Sequence, residues 1–158
     1  MLFQRVNRSN PEKIFIVAKN SYATASMTNG QAVVWDFTTD QDGVGVTLPT
    51  DGTGRAGHYG TAFAGIASET IAAGDYGLFQ VYGYHSAVRV RSHTGGLPAI
   101  IAGTGLSCKD AVFALASAPA AAAATSTITT HNFHWVGFAL AAQASWTTKA
   151  IAVFIKGL

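Results

Sequence analysis

Glycines 52, 54 and 57, within "TDGTGRAGHYG" (50–60), give the spacing G-x-G-x-x-G. A dinucleotide-binding turn of that pattern follows a strand, opens a helix and has an acid about 20 residues further on. Here Pro49 precedes it and strand-like residues follow, so the stretch reads as a flexible loop. "HNFHW" sets His131 and His134 three apart. On a helix the two imidazoles would share a face. On the strand that "TITTHNFHWVGF" suggests they diverge, and acids that could complete a metal site are scarce nearby. Glutamate occurs only at Glu12 and Glu69. Asp36, Asp42, Asp51 and Asp75 sit beside turns or strand ends, where a carboxylate usually serves neighbouring amides. No carboxylate pair announces the acid–base work of a glycosidase. Cys108 is the single cysteine, which rules out an intrachain disulfide and a cysteine-based zinc site, and it reads as a buried thiol. G-x-x-x-x-G-K-[ST], G-x-S-x-G and H-E-x-x-H are all missing. The expectation is a chain that is not an enzyme, with no catalytic residue, no cofactor and no metal ligand.

Contact is better provided for than chemistry. Three tryptophans and five tyrosines make a large aromatic complement. Most should pack a core, and some can anchor an interface, where Trp, Tyr and Arg are favoured. The candidate interface residues are Tyr59 in the glycine-rich loop, Tyr82 and Tyr84 on an outward strand face, Arg89 and Arg91 just beyond, and Arg5 and Arg8 near the N-terminus.

Composition supports that emphasis. Apolar residues make up 49% of the 158 residues and charged residues only 11%, against about 25% charged in an average soluble domain. The exterior must then be built from Thr, Ser, Gln, Asn, Gly and Ala, a surface suited to cover by partners. A net charge of +2 with scattered bases lacks the clustered basic stripe of a nucleic-acid binder. No run approaches the roughly 20 strongly apolar residues of a membrane-spanning helix. The N-terminal stretch is too polar for a signal peptide, so synthesis in a cytoplasm and no membrane partner are expected.

Most segments predict strands. "KIFIVAKN" (13–20) is β-branched and bounded by Pro11 and Asn20. "QAVVWDF" (31–37) follows an Asn-Gly turn and "VGVTLP" (44–49) an Asp-Gly turn. "TAFAGIA" (61–67) comes next, then a Gly74-Asp75 turn and a strand from Tyr76 to His85. Phe79, Val81 and Gly83 fall on one face of that strand, and Leu78, Gln80, Tyr82 and Tyr84 on the other. Both faces are apolar or aromatic enough to be covered. "AVRVR" alternates, with Val88 and Val90 inward and Arg89 and Arg91 outward. "LPAIIAG" (97–103) suggests a short strand. Within "SCKDAVFALASA" (107–118), a Ser107 cap and helical spacing at Val112, Leu115 and Ala116 predict a short helix. "STITTHNFHWVGFAL" (126–140) and "KAIAVFIKGL" (149–158) close the chain as strands. "GIASETIAAGDYGLFQVYG" (65–83) and "GFALAAQASWTTKAIAVFIKG" (137–157) share a Gly-apolar-Ala start, a spacer and an apolar strand ending in Gly. That suggests two related β-hairpin units in one barrel or sandwich. The expected fold is all-β, a small barrel or sandwich, with at most one or two short helices around 107–124. Residues 1–12 would form an N-terminal arm and 13–158 one β-rich domain.

Three stretches together, "NPEKIFIVAKNSYATASMTNGQAVVWDF", "AGIASETIAAGDYGLFQVYGY" and "VGFALAAQASWTTKAIAVFIKGL", resemble tailed-phage head decoration (cement) proteins and related phage structural proteins. The resemblance implies a small β-barrel or β-tulip domain on the outside of an icosahedral shell. It also implies the major capsid protein as partner, a homotrimer between capsomers, and location on the capsid exterior. Another virion part, such as a head fibre base or tail component, would share this composition. A carbohydrate-binding module, with Trp and Tyr stacked on sugars, is the alternative of a different class.

Overall fold

A computed structural model describes residues 12–37, 39–40, 42–47, 49, 62–91, 100–108, 115–117, 135–143 and 148–157. They form nine strands: β1 (Ile14–Asn20), β2 (Ala32–Trp35), β3 (Gly45–Thr47), β4 (Phe63–Ala67), β5 (Tyr76–Arg91), β6 (Gly105–Cys108), β7 (Leu115–Ser117), β8 (Gly137–Ala139) and β9 (Lys149–Lys156). No helix occurs among the described residues, so the fold is all-β as expected. Of the stretch 107–118, where a short helix was expected, the described residues 107–108 and 115–117 are strand. Ser107 and Cys108 end β6, and Cys108 stands opposite Leu115 of the antiparallel β7. Long-range pairing has overridden a local period that was only a few residues long. The glycine-rich loop, the His131/His134 pair and the alanine run 120–124 lie outside the described residues.

The strands join in one sheet, ordered β1-β3-β2-β4-β5-β7-β6-β8-β9, and further pairings β1–β5 and β5–β9 close it on itself twice. The result is two five-stranded rings that share β5. Ring closure leaves few free edges, the usual remedy for exposed strand pairing groups.

The two rings are built alike. In the first, β1 runs parallel to β3, β2 is antiparallel to β3 and β4, and β5 is antiparallel to β4 and β1. In the second, the end of β5 runs parallel to β7, β6 is antiparallel to β7 and β8, and β9 is antiparallel to β8 and β5. Registers correspond residue by residue. Ile66↔Gln80 and Ala67↔Phe79 in one ring match Phe138↔Phe154 and Ala139↔Val153 in the other. Lys19↔Tyr76 matches Arg89↔Ala150. The shared sequence pattern of 65–83 and 137–157 is thus the β4–β5 and β8–β9 hairpins of a larger tandem unit.

The turns repeat as well. Met27 bridges Ile71, and Ile100 bridges Gln143. The Gln31 amide donates to Thr28 O at 3.1 Å, and the Thr104 amide to Ile101 O at 3.1 Å. The Gly30 amide donates to Ala67 O and the Gly103 amide to Ala139 O, each at 2.8 Å. Both glycines have positive φ, +84° and +89°, which the third residue of such a turn needs and only glycine adopts freely.

Each ring encloses its own apolar interior. Ala18, Met27, Val33, Val46, Ala67, Ile71 and Phe79 fill the first. Val88, Val90, Leu106, Cys108, Ala139, Ile151, Val153 and Ile155 fill the second. Ala32, Val34, Phe63 and Ile66, from β2 and β4, belong to the second cluster, so the outer face of the first ring is buried against the second. Buried Asn20 is fully used: its Nδ2 donates to Ala25 O at 3.2 Å and Ile71 O at 3.0 Å, and its Oδ1 accepts from the Tyr22 amide at 3.0 Å.

At the junction, the Gly30 carbonyl accepts from the Arg89 amide at 2.8 Å, and a Cβ on Gly30 would collide with the Ala87 carbonyl oxygen. Its counterpart Gly103 has open space at that position. Gly103→Ala is therefore expected to cost about 1–2 kcal/mol, the left-handed backbone strain alone. Gly30→Ala carries the collision as well and should cost at least about 3 kcal/mol. Urea denaturation of the two variants beside wild type checks the difference, and equal losses would contradict the junction geometry.

Candidate interaction surface

β5 contributes Tyr82 and Tyr84 to an outward aromatic surface. Its register with the following strands places Tyr84 opposite Phe154 of β9, Phe154 opposite Phe138 of β8, and Phe138 opposite Gly105 of β6. Residues directly opposite in an antiparallel pair point to the same face, so the four positions form a row across four strands, about 14 Å at normal strand spacing. Gly105 has no side chain, and the Trp135 indole lies over it: a Cβ there would be 2.7 Å from Trp135 Cδ2 and Cε3. The Phe138 and Phe154 rings are stacked at 5.3 Å and 17°, and Tyr82 meets Phe154 edge-on at 5.4 Å and 83°. Tyr82, Tyr84, Phe138 and Phe154 are half-buried, whereas Trp135 is 62% exposed.

The matching row of the first ring is Phe15, Gln80, Ile66 and Ala32, by the same cross-strand pairs. Gln80, Ile66 and Ala32 are buried. Gln80 Nε2 donates to Tyr82 O at 3.0 Å and Tyr84 O at 3.1 Å. One unit thus has this row closed over at all but Phe15, and the other presents it in aromatic form.

A second exposed apolar surface lies at the start of β5. Val17 of β1 stands opposite Leu78, and Lys19 opposite Tyr76. Val17 is 67% exposed and Tyr76 62%, with Phe15 and Leu78 exposed beside them. The expectation that both faces of β5 are covered holds at Phe79, Gln80 and Val81 but not at these first turns of the strand.

Of the expected interface residues, Tyr82 and Tyr84 lie in or beside the aromatic row. Arg89 is exposed, and its Nη2 donates to Thr28 Oγ1 at 3.0 Å across the ring junction. Arg91 is half-buried at the end of β5. Arg5, Arg8 and Tyr59 lie outside the described residues. Sequence reasoning did not single out Phe138, Phe154, Phe15, Val17 or Leu78, since cross-strand register alone brings them together.

Groups with chemical potential are held quietly. Cys108 is buried and its thiol is pushed up to about 12 by loss of solvent. Asp36 serves its turn: Oδ1 accepts from the Thr39 amide at 3.2 Å, and Oδ2 accepts from the Thr39 hydroxyl. No group of three His, Cys, Asp or Glu side chains that could hold a metal occurs among the described residues. His85 is buried where the β5–β9 register shifts, and its Nδ1 accepts from the Ala87 amide at 3.1 Å, which puts the proton of the neutral ring on Nε2.

No protein family matches the chain, and no curated protein does. Among solved structures, that of the head fiber gp8.5 N base in bacteriophage phi29 is similar over 92% of this chain and 96% of that one, at 12% identity and a TM-score of 0.45. The likeness is a distant one.

Burial, and secondarily the charge of Lys13, lower the His85 pKa from its ordinary 6.5. The folded state therefore takes up fewer protons than the unfolded chain. Stability that His85 leaves intact above pH 6.5 is lost as pH falls below that value, down to the folded-state pKa. His85→Gln should flatten the stability profile below pH 6.5, as read by urea denaturation at stepped pH; an unchanged profile would put the imidazole in solvent. The aromatic row is checked separately by NMR. The Gly105 Hα should be shifted upfield by the indole above it and return toward the ordinary glycine range in Trp135→Leu.

Proposed function

We propose that this chain is a structural protein of a tailed-phage virion, one that binds the outer capsid surface between capsomers and reinforces the head as a decoration protein. Its partner is the major capsid protein, and it works as a homotrimer. The observation that carries the reading is the pair of exposed apolar surfaces on β5, set on a doubly closed all-β scaffold in a chain with 11% charged residues. Contiguous apolar surface of this kind marks interaction sites, and the low charge limits the cost of covering it. The sequence resemblance to head decoration proteins points the same way.

The mechanism is mass action on the lattice. A molecule that binds the assembled shell and not separated capsomers stabilises the shell by its binding free energy. Several such contacts from one oligomer multiply in effect without any being strong. Arg89 and Arg91 are proposed for the shell contact, Tyr82 and Tyr84 for contact between copies of the oligomer, and residues 1–12, with Arg5 and Arg8, as an arm over a neighbour. A carbohydrate platform fits the row less well. Phe138 and Phe154 turn their faces to each other, whereas a sugar needs an open ring face.

The test is sedimentation of the purified chain with expanded, empty tailed-phage capsids and with unassembled capsid protein. Saturable binding to shells, and at least about tenfold weaker binding to free capsid protein, is expected. No binding to shells, together with binding to a glycan array, would overturn the reading in favour of a lectin.

A further inference from the structure

The charges of the chain are divided unevenly between its two units. Residues 76–158 carry Arg89, Arg91, Lys109, Lys149 and Lys156 against one acid, Asp110, for a net of +4. Residues 1–75 carry seven acids against Arg5, Arg8, Lys13, Lys19 and Arg55, for a net of −2. The two apolar surfaces follow that division. Beside Leu78 stands exposed Glu69, whose Oε1 accepts the Leu78 amide at 3.1 Å, and beside Tyr76 stands exposed Asp75. Lys19, half-buried opposite Tyr76, is the base on that face. Beside the aromatic row stands exposed Lys156, opposite Tyr82. One surface is apolar with acids at its margin, and the other is aromatic with a base at its margin.

The internal repeat adds a second reason to match them. The row position of the first unit is already a docking position: Ile66 and Ala32 are sealed in one cluster with Val88, Leu106 and Val153 of the second unit. The same position in the second unit holds Gly105, Phe138 and Phe154, with Trp135 62% exposed over Gly105. We propose that the aromatic row of one copy seats on the Val17–Leu78–Tyr76 patch of a second copy. Aromatic anchors at the centre, with Lys156 facing Glu69 and Asp75 at the margin, fit the usual anatomy of a protein interface. Every copy carries both surfaces, so this single contact can repeat from copy to copy and close into a symmetric assembly. It does not depend on a capsid partner.

Sedimentation velocity of the purified full chain, over a concentration series, tests this. Mass should rise with concentration, and the rise should weaken in high salt as the marginal charges are screened. Val17→Lys on one surface, and Trp135→Ala on the other, should each weaken self-association about tenfold or more. Both sites are exposed, and circular dichroism confirms that each variant is folded. Mixing the two variants is the decisive step. Each retains the half that the other has lost, so one intact contact should form and a mixed species should reappear. A wild-type monomer at all concentrations would overturn the proposal, as would variants that associate like wild type or a mixture that stays monomeric. Shell binding by a chain that never self-associates would overturn this inference and the proposed trimer but leave the shell-binding reading standing, and self-association without shell binding would overturn only the virion reading.

Discussion

The constraint on which the rest of the structure depends is the double use of β5. Along its first half this 16-residue strand pairs with β4 on one edge and β1 on the other, and along its second half with β7 and β9. Each ring needs that strand to close, so neither closes alone. A run such as "YGLFQVYGYHSAVRVR" suits the task. Its β-branched and aromatic residues favour the extended chain, and its few charges fall at Arg89 and Arg91, after the most enclosed stretch.

The tandem unit explains features that look arbitrary one at a time. Gly30 and Gly103 occupy the same turn, yet one is pressed against the Ala87 carbonyl and the other faces open space. Ile66 and Phe138 occupy the same register position, yet one is fully buried and the other half-open. The difference in each case is that the first unit has a neighbour within the chain at that place. The contact proposed between copies rests on the same asymmetry: among the described residues, the docking face that is sealed in the first unit stays half-open in the second.

Much of the fold was legible in the sequence, because alternation and turn chemistry are local signals. Val88 and Val90 are fully buried, as the pattern "AVRVR" implied, and the Gly74 turn leads into β5 where expected. The hairpin likeness of 65–83 and 137–157 was visible because both keep Gly-apolar-Ala. The rest of the repeat was not, since it survives in backbone hydrogen bonds and not in side chains: Met27 corresponds to Ile100, and Trp35 to Cys108. At the described ends of 107–118 the helical spacing gives way to strand, because β6 and β7 find their partners in each other. The aromatic row was hidden for a related reason. Tyr84, Gly105, Phe138 and Phe154 are distant in sequence and become neighbours only once register is known.

The central claim is that β5 makes the two rings one cooperative structure, and native-state hydrogen exchange tests it most directly. The buried β5 amides, followed with those of β1 and β9 as denaturant is raised below the unfolding transition, should converge on one global opening free energy. Protection at Phe79 and Ala18 should be lost together with that at Val88 and Val153. Loss of protection in one ring while the other keeps its own would contradict the account.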